Sequence, residues 1–287
     1  DTAEAPKGVV TFQGEETAVL SGFTITNGSV SGIYCASSGP TLEYLKITGN
    51  TATSGAGIFC DDDANPTIQN SFISGNTATN RGGGIYCRKD ASPVLQNLEI
   101  TNNSAYSGGG ICFDRAESNL TNLTLSENTA ERGSGIFAKD GSHLDLKNTI
   151  IWGDTIFFDP DPDDERNTLS VAYSDIQSGQ SGIINSQYVI LKWSSGNINT
   201  DPRFVDAENG DYRLANDSPC IAKGTRTDAP ETDIVGSPRP SAGSLFPDMG
   251  AHENQAQKLY VDAMSDGEGT GTPKLPFRTI TQAIQVA

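Results

Sequence analysis

The stretch "SGNTATNRGGGIYC" at 74–87 decides the fold, because the chain writes nearly the same phrase four times. The other copies are "TGNTATSGAGIFC" (48–60), "TNNSAYSGGGICF" (101–113) and "SENTAERGSGIFA" (126–138). A single loop has no physical reason to recur, whereas a stack of equivalent coils must turn the same corner each time. Aligned on the Gly-Ile step, Ile33, Ile58, Ile85, Ile111 and Ile136 follow one another at 25, 27, 26 and 25 residues. An Asn travels with them as Asn50, Asn76, Asn103 and Asn128. Upstream of each Asn lies a short alternating run: "LEYLKI" (42–47), "IQNSFI" (68–73), "LQNLEI" (95–100) and "LTNLTL" (120–125). Pro40, Pro66 and Pro93 precede three of these runs.

A helical repeat of this length needs an apolar period of 3.6 residues, which is absent, and so is the Leu-x-x-Leu-x-Leu spacing of leucine-rich repeats. Two or three short strands per period leave a solenoid in which each period is one coil and equivalent strands pair in parallel, roughly 4.8 Å apart. A right-handed parallel β-helix, all-β, with coils of about 26 residues, fits this period. The five isoleucines are then expected to stack inside. Period-2 alternation sends Tyr34, Phe59, Tyr86, Cys112 and Phe137 outside and returns Cys35, Cys60, Cys87 and Phe113 to the core. The stacked cysteines read as small buried hydrophobes. The recurring Asn is expected to turn a left-handed corner and to bond its amide to the next Asn along the stack. The glycines before Ile serve close packing and free φ.

Composition agrees with this reading. The chain has 287 residues, 31 of them Gly, and a net charge of −17. That charge disfavours nucleic acid and anionic membrane surfaces as partners, which carry the same sign. No run approaches the roughly 18 apolar residues of a membrane helix. Five cysteines in a long chain do not resemble a disulfide scaffold.

Regular coils are expected over 19–152 and irregular coils with a C-terminal cap over 153–253. "DPDPDDER" (159–166) interrupts the period. Asp159, Asp161 and Asp163 alternate as in a calcium loop, but Asp164 stands in place of Gly and Ser170 in place of the closing Glu, so a solvated loop and no cofactor are expected. "TLSVAYSDIQ" (168–177) and "QYVILKW" (187–193) restore strands. The turn-rich tail that follows is placed to cover the open end of the stack.

"YSDIQSG" (173–179), "GNINTDPRFVD" (196–206), "GDYRLANDSPCIAKGT" (210–225), "TDIVGSPRP" (232–240) and "DMGAHE" (248–253) together resemble the C-terminal half of bacterial choice-of-anchor Q proteins, and "VLSGFTITNG" (19–28) resembles their early coils. That resemblance implies a right-handed β-helix that is secreted or attached to the cell surface. The four-fold phrase is also similar, over a shorter span, to repeats of chlamydial polymorphic outer-membrane proteins. "LYVDAMSDGEGTGTPKLPFRTITQAIQVA" (259–287) is similar to the opening cap of such β-helix domains. Ile280, Ala283, Ile284 and Ala287 fall there on one helical face. A linker and the start of a second domain are therefore expected over 254–287, with the chain a fragment of a tandem array. A permuted domain is the other arrangement.

Solenoids bind along exposed faces. The positions after the Gly-Ile step carry Asp61-Asp62-Asp63, Arg88-Lys89-Asp90, Asp114-Arg115 and Lys139-Asp140 in successive coils. Stacked, they would form a charged stripe, and Asp62, Arg88, Lys89, Asp114, Arg115 and Lys139 are the candidate glycan-binding residues. The same charges could instead satisfy one another across a polar corner. The function expected is an extracellular adhesive, glycan-binding or structural module, monomeric within a longer chain, with a polysaccharide or cell-surface glycan as partner. The alternative is a polysaccharide lyase or glycoside hydrolase acting on an acidic polysaccharide, in which Arg or Lys neutralises a uronate or two carboxylates flank the scissile bond. His143 reads as a surface residue and His252 as structural.

Overall fold

A computed structural model describes residues 8–159, 166–255, 261–264, 276 and 278–281. Strands of successive coils pair in parallel on three faces of a β-helix. The first face runs through Val10–Gln13, Ile33–Ala36, Ile58–Asp61, Ile85–Arg88, Ile111–Asp114, Ile136–Lys139, Ile156–Phe158 and Ile183–Ile184. The second runs from Val19–Ser21 to Val189–Trp193, and the third from Thr24–Thr26 to Asp175–Ile176.

The register is the one the repeat demands. Val10, Ile33, Ile58, Ile85, Ile111, Ile136, Ile156 and Ile183 occupy one column, each paired with the next. The five repeat isoleucines are fully or almost fully buried, as are Cys35, Cys60, Cys87 and Phe113 two positions on. Each buried isoleucine is worth about 1.5–3 kcal/mol of transfer free energy. The column of leucines and isoleucines on the second face (Leu42, Ile68, Leu95, Leu120, Leu146) closes the same core from another side.

Three expectations need correction. Tyr34, Phe59, Tyr86, Cys112 and Phe137 do leave the inner core, but they are buried, not exposed, and form a second apolar cluster on the outer side of the first face. The turn ahead of each strand folds back over it, so that Gly55 and Gly82 lie against the β-carbons of Phe59 and Tyr86. Second, each alternating run carries a corner in its middle, which separates Thr41–Glu43 from Lys46–Thr48 and Glu117–Thr121 from Thr124–Ser126, and bends the continuous strands Thr67–Ser74 and Val94–Thr101. Tyr44, Asn70, Asn97 and Asn122 take φ of 53°, 49°, 48° and 58°, and that left-handed residue shifts the inward phase by one, so that Leu95, Leu98 and Ile100 all point in. Third, the left-handed corner beside the recurring Asn belongs to the residue before it: Gly49, Gly75, Asn102 and Glu127 have φ of 66°, 65°, 56° and 57°. Asn50, Asn76, Asn103 and Asn128 themselves form the expected amide ladder. Each donates both its backbone N–H and its side-chain Nδ2 to the carboxamide oxygen of the next, and Asn128 donates instead to the carboxylate of Asp154.

Irregular coils continue through Asn167–Ala172 and Val189–Trp193. The tail is a cover, but along the flank: its bonds fall on middle coils. Asn122 Nδ2 donates to the carbonyls of Asp248 and Gly250, Asn97 Nδ2 to that of Thr232, and Asn148 Nδ2 to that of Thr225. Gly250, at φ 89°, sits so close that a β-carbon there would lie 2.8 Å from Ile150 Cδ1 and 2.9 Å from Thr124 Oγ1. Residues 160–165 of the acidic insertion, and most of the cap-like stretch expected over 254–287, lie outside the described residues.

Candidate functional site

The charged corner is built as the repeat implied. Arg88, Asp114 and Lys139 occupy one register position at the ends of first-face strands. The next position along holds Asp62, Lys89 and Arg115, at φ of 56°, 53° and 51°. What stacks, however, is a chain of ion pairs. Arg88 grips Asp61 of the preceding coil with Nε and Nη2 at 2.8 and 2.9 Å, and its guanidinium lies 4.9 Å over the Phe59 ring. Lys89 Nζ stands 3.4 Å from the same carboxylate. Arg81 reaches Asp114 at 2.6 Å, where Tyr86 also donates its hydroxyl at 3.1 Å. Arg115 Nε meets Asp90 at 3.2 Å, and Lys139 Nζ meets Asp140 at 2.8 Å. The backbone carbonyl of Asp62 accepts both the N–H and the hydroxyl of Ser37.

Electrostatics follow the geometry. Burial would raise the Asp61 carboxyl, but Arg88 and Lys89 outweigh it and hold Asp61 below the usual carboxylate range. Burial, together with a hydrogen bond to Asp140, pushes Asp114 up despite Arg81 and Lys139. Burial, then Asp61, pushes the Tyr34 hydroxyl to about 12. Bidentate Arg–carboxylate pairs of this kind are the strong members of their class. An incoming anion would have to displace them, so the corner acts as a clamp between coils.

The second face presents a different surface. Thr41, Thr67, Val94, Asn119, Asp145, Ser170 and Lys192 form one outward column, each paired with the next. Beside it run Glu43, Gln69, Gln96, Thr121 and Lys147 on one side and Glu117, His143 and Thr168 on the other. Two depressions of about 250 and 270 Å³ lie on this face, on either side of the Asn119–Asp145 column that lines both, and give the face a grooved polar surface. Ser92 and Pro93 wall one part of it, and Asp228 of the tail walls another. Lys147 Nζ is tied to Asp228 at 2.7 Å and to Asp145 at 3.4 Å, and these carboxylates raise its pKa. His143 Nδ1 is 2.9 Å from Thr168 Oγ1. Reading the charged corner alone misses this groove. Its signal was the polar residue one place before the inward aliphatic on neighbouring coils: Asn119 before Leu120, Asp145 before Leu146 and Ser170 before Val171.

Residues 8–187 match the family described as a right handed beta helix region. The chain belongs to this right-handed β-helix family. No curated protein matches it. Among solved structures, the crystal structure of pectate lyase Pel9A resembles it at 14% identity and a TM-score of 0.49, over 80% of this chain and 69% of that one.

Away from the groove, this β-helix protein buries several ionisable groups. Burial raises Asp154, at the foot of the Asn ladder, to about 7, and Asp175, whose Oδ2 accepts from the Cys220 thiol, to about 6. Under the tail, His252 Nε2 lies 2.9 Å from Glu99 Oε2. Arg239 donates to the carbonyls of Asp248, Gly250 and Ala251, and burial raises the neighbouring Glu253 to about 7. Of these contacts, Asp175 with Cys220 and Glu99 with His252 hold the tail to the flank, whereas those of Arg239 lie within the tail and that of Asp154 lies within the coils. Among the described residues there is no cluster of three or more His, Cys, Asp or Glu placed to hold a metal ion, and no helix long and apolar enough to cross a membrane.

Proposed function

We propose that the protein is a secreted or cell-surface module that binds an extended glycan along its second face. The observation that carries this reading is the polar surface of hydroxyl, amide and carboxylate side chains around Asn119 and Asp145, grooved by two adjacent depressions and repeated at the coil spacing. A polysaccharide offers hydroxyls at regular intervals, and a column of short polar side chains roughly 4.8 Å apart offers matching partners. The charge of the groove selects among glycans. Glu117, Asp145 and Asp228 line it against Lys147, whose charge is already shared between two carboxylates. A neutral polymer fits this field and a uronate polymer is repelled. The corner cations Arg88, Lys89 and Arg115 are engaged in ion pairs and are assigned to coil coupling. The finer kinship with choice-of-anchor Q proteins is supported by the motifs that dock the tail: "TDIVGSPRP" and "DMGAHE" supply Thr232, Asp248, Gly250 and His252.

The test is retention on gels containing neutral or uronate polysaccharides, with reducing-end and ultraviolet assays on the same polymers. Retention by a neutral polymer should drop at least five-fold in an Asn119→Ala/Asp145→Asn variant and persist in an Arg88→Ala/Lys89→Ala/Arg115→Ala variant. Retention abolished only by the corner variant would move the site to the corner. Release of reducing ends or unsaturated uronates would replace binding with catalysis.

A further inference from the structure

We infer that Asp228, carried in by the tail, sets which glycans the second face accepts, because it occupies the cation that an acidic sugar would need. The inference rests on the glycan-binding reading above. Among the described residues Lys147 is the one Lys or Arg that lines either depression, against the carboxylates of Glu117, Asp145 and Asp228. His143, in the first depression, is engaged by Thr168. A carboxylated sugar entering this face therefore looks to the Lys147 ammonium for its charged partner. That place is filled. Lys147 Nζ donates to Asp228 Oδ2 at 2.7 Å, and Asp145 Oδ2 stands further off at 3.4 Å. The bond to Asp228 is also the largest of the influences that raise the Lys147 pKa. The tail's carboxylate stands where the ligand's carboxylate would have to go.

The backbone around Asp228 is fixed independently of the ion pair. Asn148, next to Lys147 in the chain, donates its Nδ2 to the Thr225 carbonyl at 2.8 Å and accepts the Thr225 N–H on Oδ1 at 2.7 Å. Gly224 donates its N–H to the Pro247 carbonyl, and a β-carbon there would lie 2.9 Å from Asn148 Oδ1, so this close approach needs Gly. Asp228 takes φ of 62°, in the left-handed region that Asp tolerates better than most side chains. Arg226, two residues earlier, donates its Nε to the Leu245 carbonyl. The ion pair itself is partly in solvent, with Asp228 61% and Lys147 26% exposed. Exposed pairs add little stability, and the Asn148 bonds and the buried His252–Glu99 contact hold the tail without this one. Its consequence is electrostatic. With Asp228 in place three carboxylates line the depressions against one ammonium, and without it two do. A neutral glycan needs no ammonium and is admitted either way. The same contact ties selectivity to docking of the tail, since a tail lifted from the coils would leave Lys147 open to an acidic ligand.

The test uses the full chain and one polymer in two forms, a uronate polysaccharide and the same polysaccharide with its carboxylates methyl-esterified. Affinity gels compare the parent with Asp228→Asn, with Asp228→Asn/Lys147→Gln and with Asp217→Asn. The last removes the same charge from an exposed tail position paired with Arg203, away from both depressions. Asp228→Asn should raise retention on the uronate form relative to the esterified form about five-fold, the ratio that one ion pair of about 1 kcal/mol supplies. The gain should vanish in the double variant and be absent from Asp217→Asn. The Cys220 thiol, buried where the tail meets Asp175 of the coils, should stay unreactive in Asp228→Asn as in the parent, which shows the tail still docked. Equal ratios for the parent and Asp228→Asn overturn the inference. So does a gain that survives the loss of Lys147, a gain that Asp217→Asn reproduces, or a Cys220 that becomes reactive in Asp228→Asn, which would make Asp228 an anchor of the tail. The glycan-binding reading fails separately, if the parent is retained by no neutral polymer; a gain by Asp228→Asn on the uronate form would then still support the role of Asp228.

Discussion

Replacing Asn103 with Ala probes the amide ladder at its centre. Asn103 is 1% exposed, and its side chain makes four hydrogen bonds. Oδ1 accepts from the backbone N–H and the Nδ2 of Asn76 at 3.1 and 2.9 Å. Nδ2 donates to Asn128 Oδ1 at 3.1 Å and to the Ile73 carbonyl at 2.8 Å. Some partners survive the truncation. Asn76 Nδ2 keeps the Ile47 carbonyl, and Asn128 Oδ1 keeps the Asn103 backbone N–H. The Asn76 N–H and the Ile73 carbonyl lose their side-chain partner. At about 1–3 kcal/mol for each buried polar group deprived of a partner, the expected loss is about 2–6 kcal/mol. The neighbouring Asn102 is the control. It holds the left-handed corner, so Asn102→Ala costs backbone strain on the order of 1 kcal/mol and leaves the ladder whole. Urea unfolding should be followed by far-ultraviolet circular dichroism and by the fluorescence of Trp152 and Trp193, because a solenoid can lose coils separately. A loss below about 1 kcal/mol for Asn103→Ala, or equal losses at 102 and 103, would refute the ladder as a source of stability.

Ile85→Asp places an unpaired carboxylate in the fully buried first-face column and should cost more than about 4 kcal/mol; a variant that melts like the parent would sink the register. The thiols of Cys35, Cys60 and Cys87 should resist labelling in the native state and react after unfolding, since all three are buried and burial raises Cys35 while a hydrogen bond to Cys87, with burial, raises Cys60. Rapid labelling of the folded protein would count against this. Stability should fall as pH rises from about 4 to 7. In that window folded Asp154, Asp175 and Glu253, raised to about 7, 6 and 7, retain protons that unfolded carboxyls near pH 4 have released. The melting temperature at pH 5 should therefore exceed that at pH 8, and Asp154→Asn, which extends the ladder by one Asn, should flatten the difference. A melting temperature that rises across the window would contradict the assignment.

The inward columns were legible in the sequence, because a solenoid repeats one local environment per coil. Ile33 to Ile136, and Cys35 to Cys87, were placed by period and alternation alone, and so was the amide-to-amide bonding of Asn50 to Asn128. The charged corner also aligned as the spacing said, with Arg88, Asp114 and Lys139 in one register column. The sequence could not say that these charges are already spent on Asp61, Arg81 and Asp140, because ion pairing depends on side-chain reach across coils. Nor could alternation show that the outer side of the first face is roofed by the turns before each strand, or that one left-handed residue such as Asn97 bends a strand and shifts its phase. The groove is hidden from the sequence for a related reason. Its floor is a column of unremarkable polar residues, and its far wall, Asp228, comes from a tail 81 residues beyond Lys147 in the chain. Local periodicity records which side of a strand is buried. Which distant segment comes to lie on the other side is decided only when the tail folds back and buries Glu99 with His252, and Asn122 beneath Gly250.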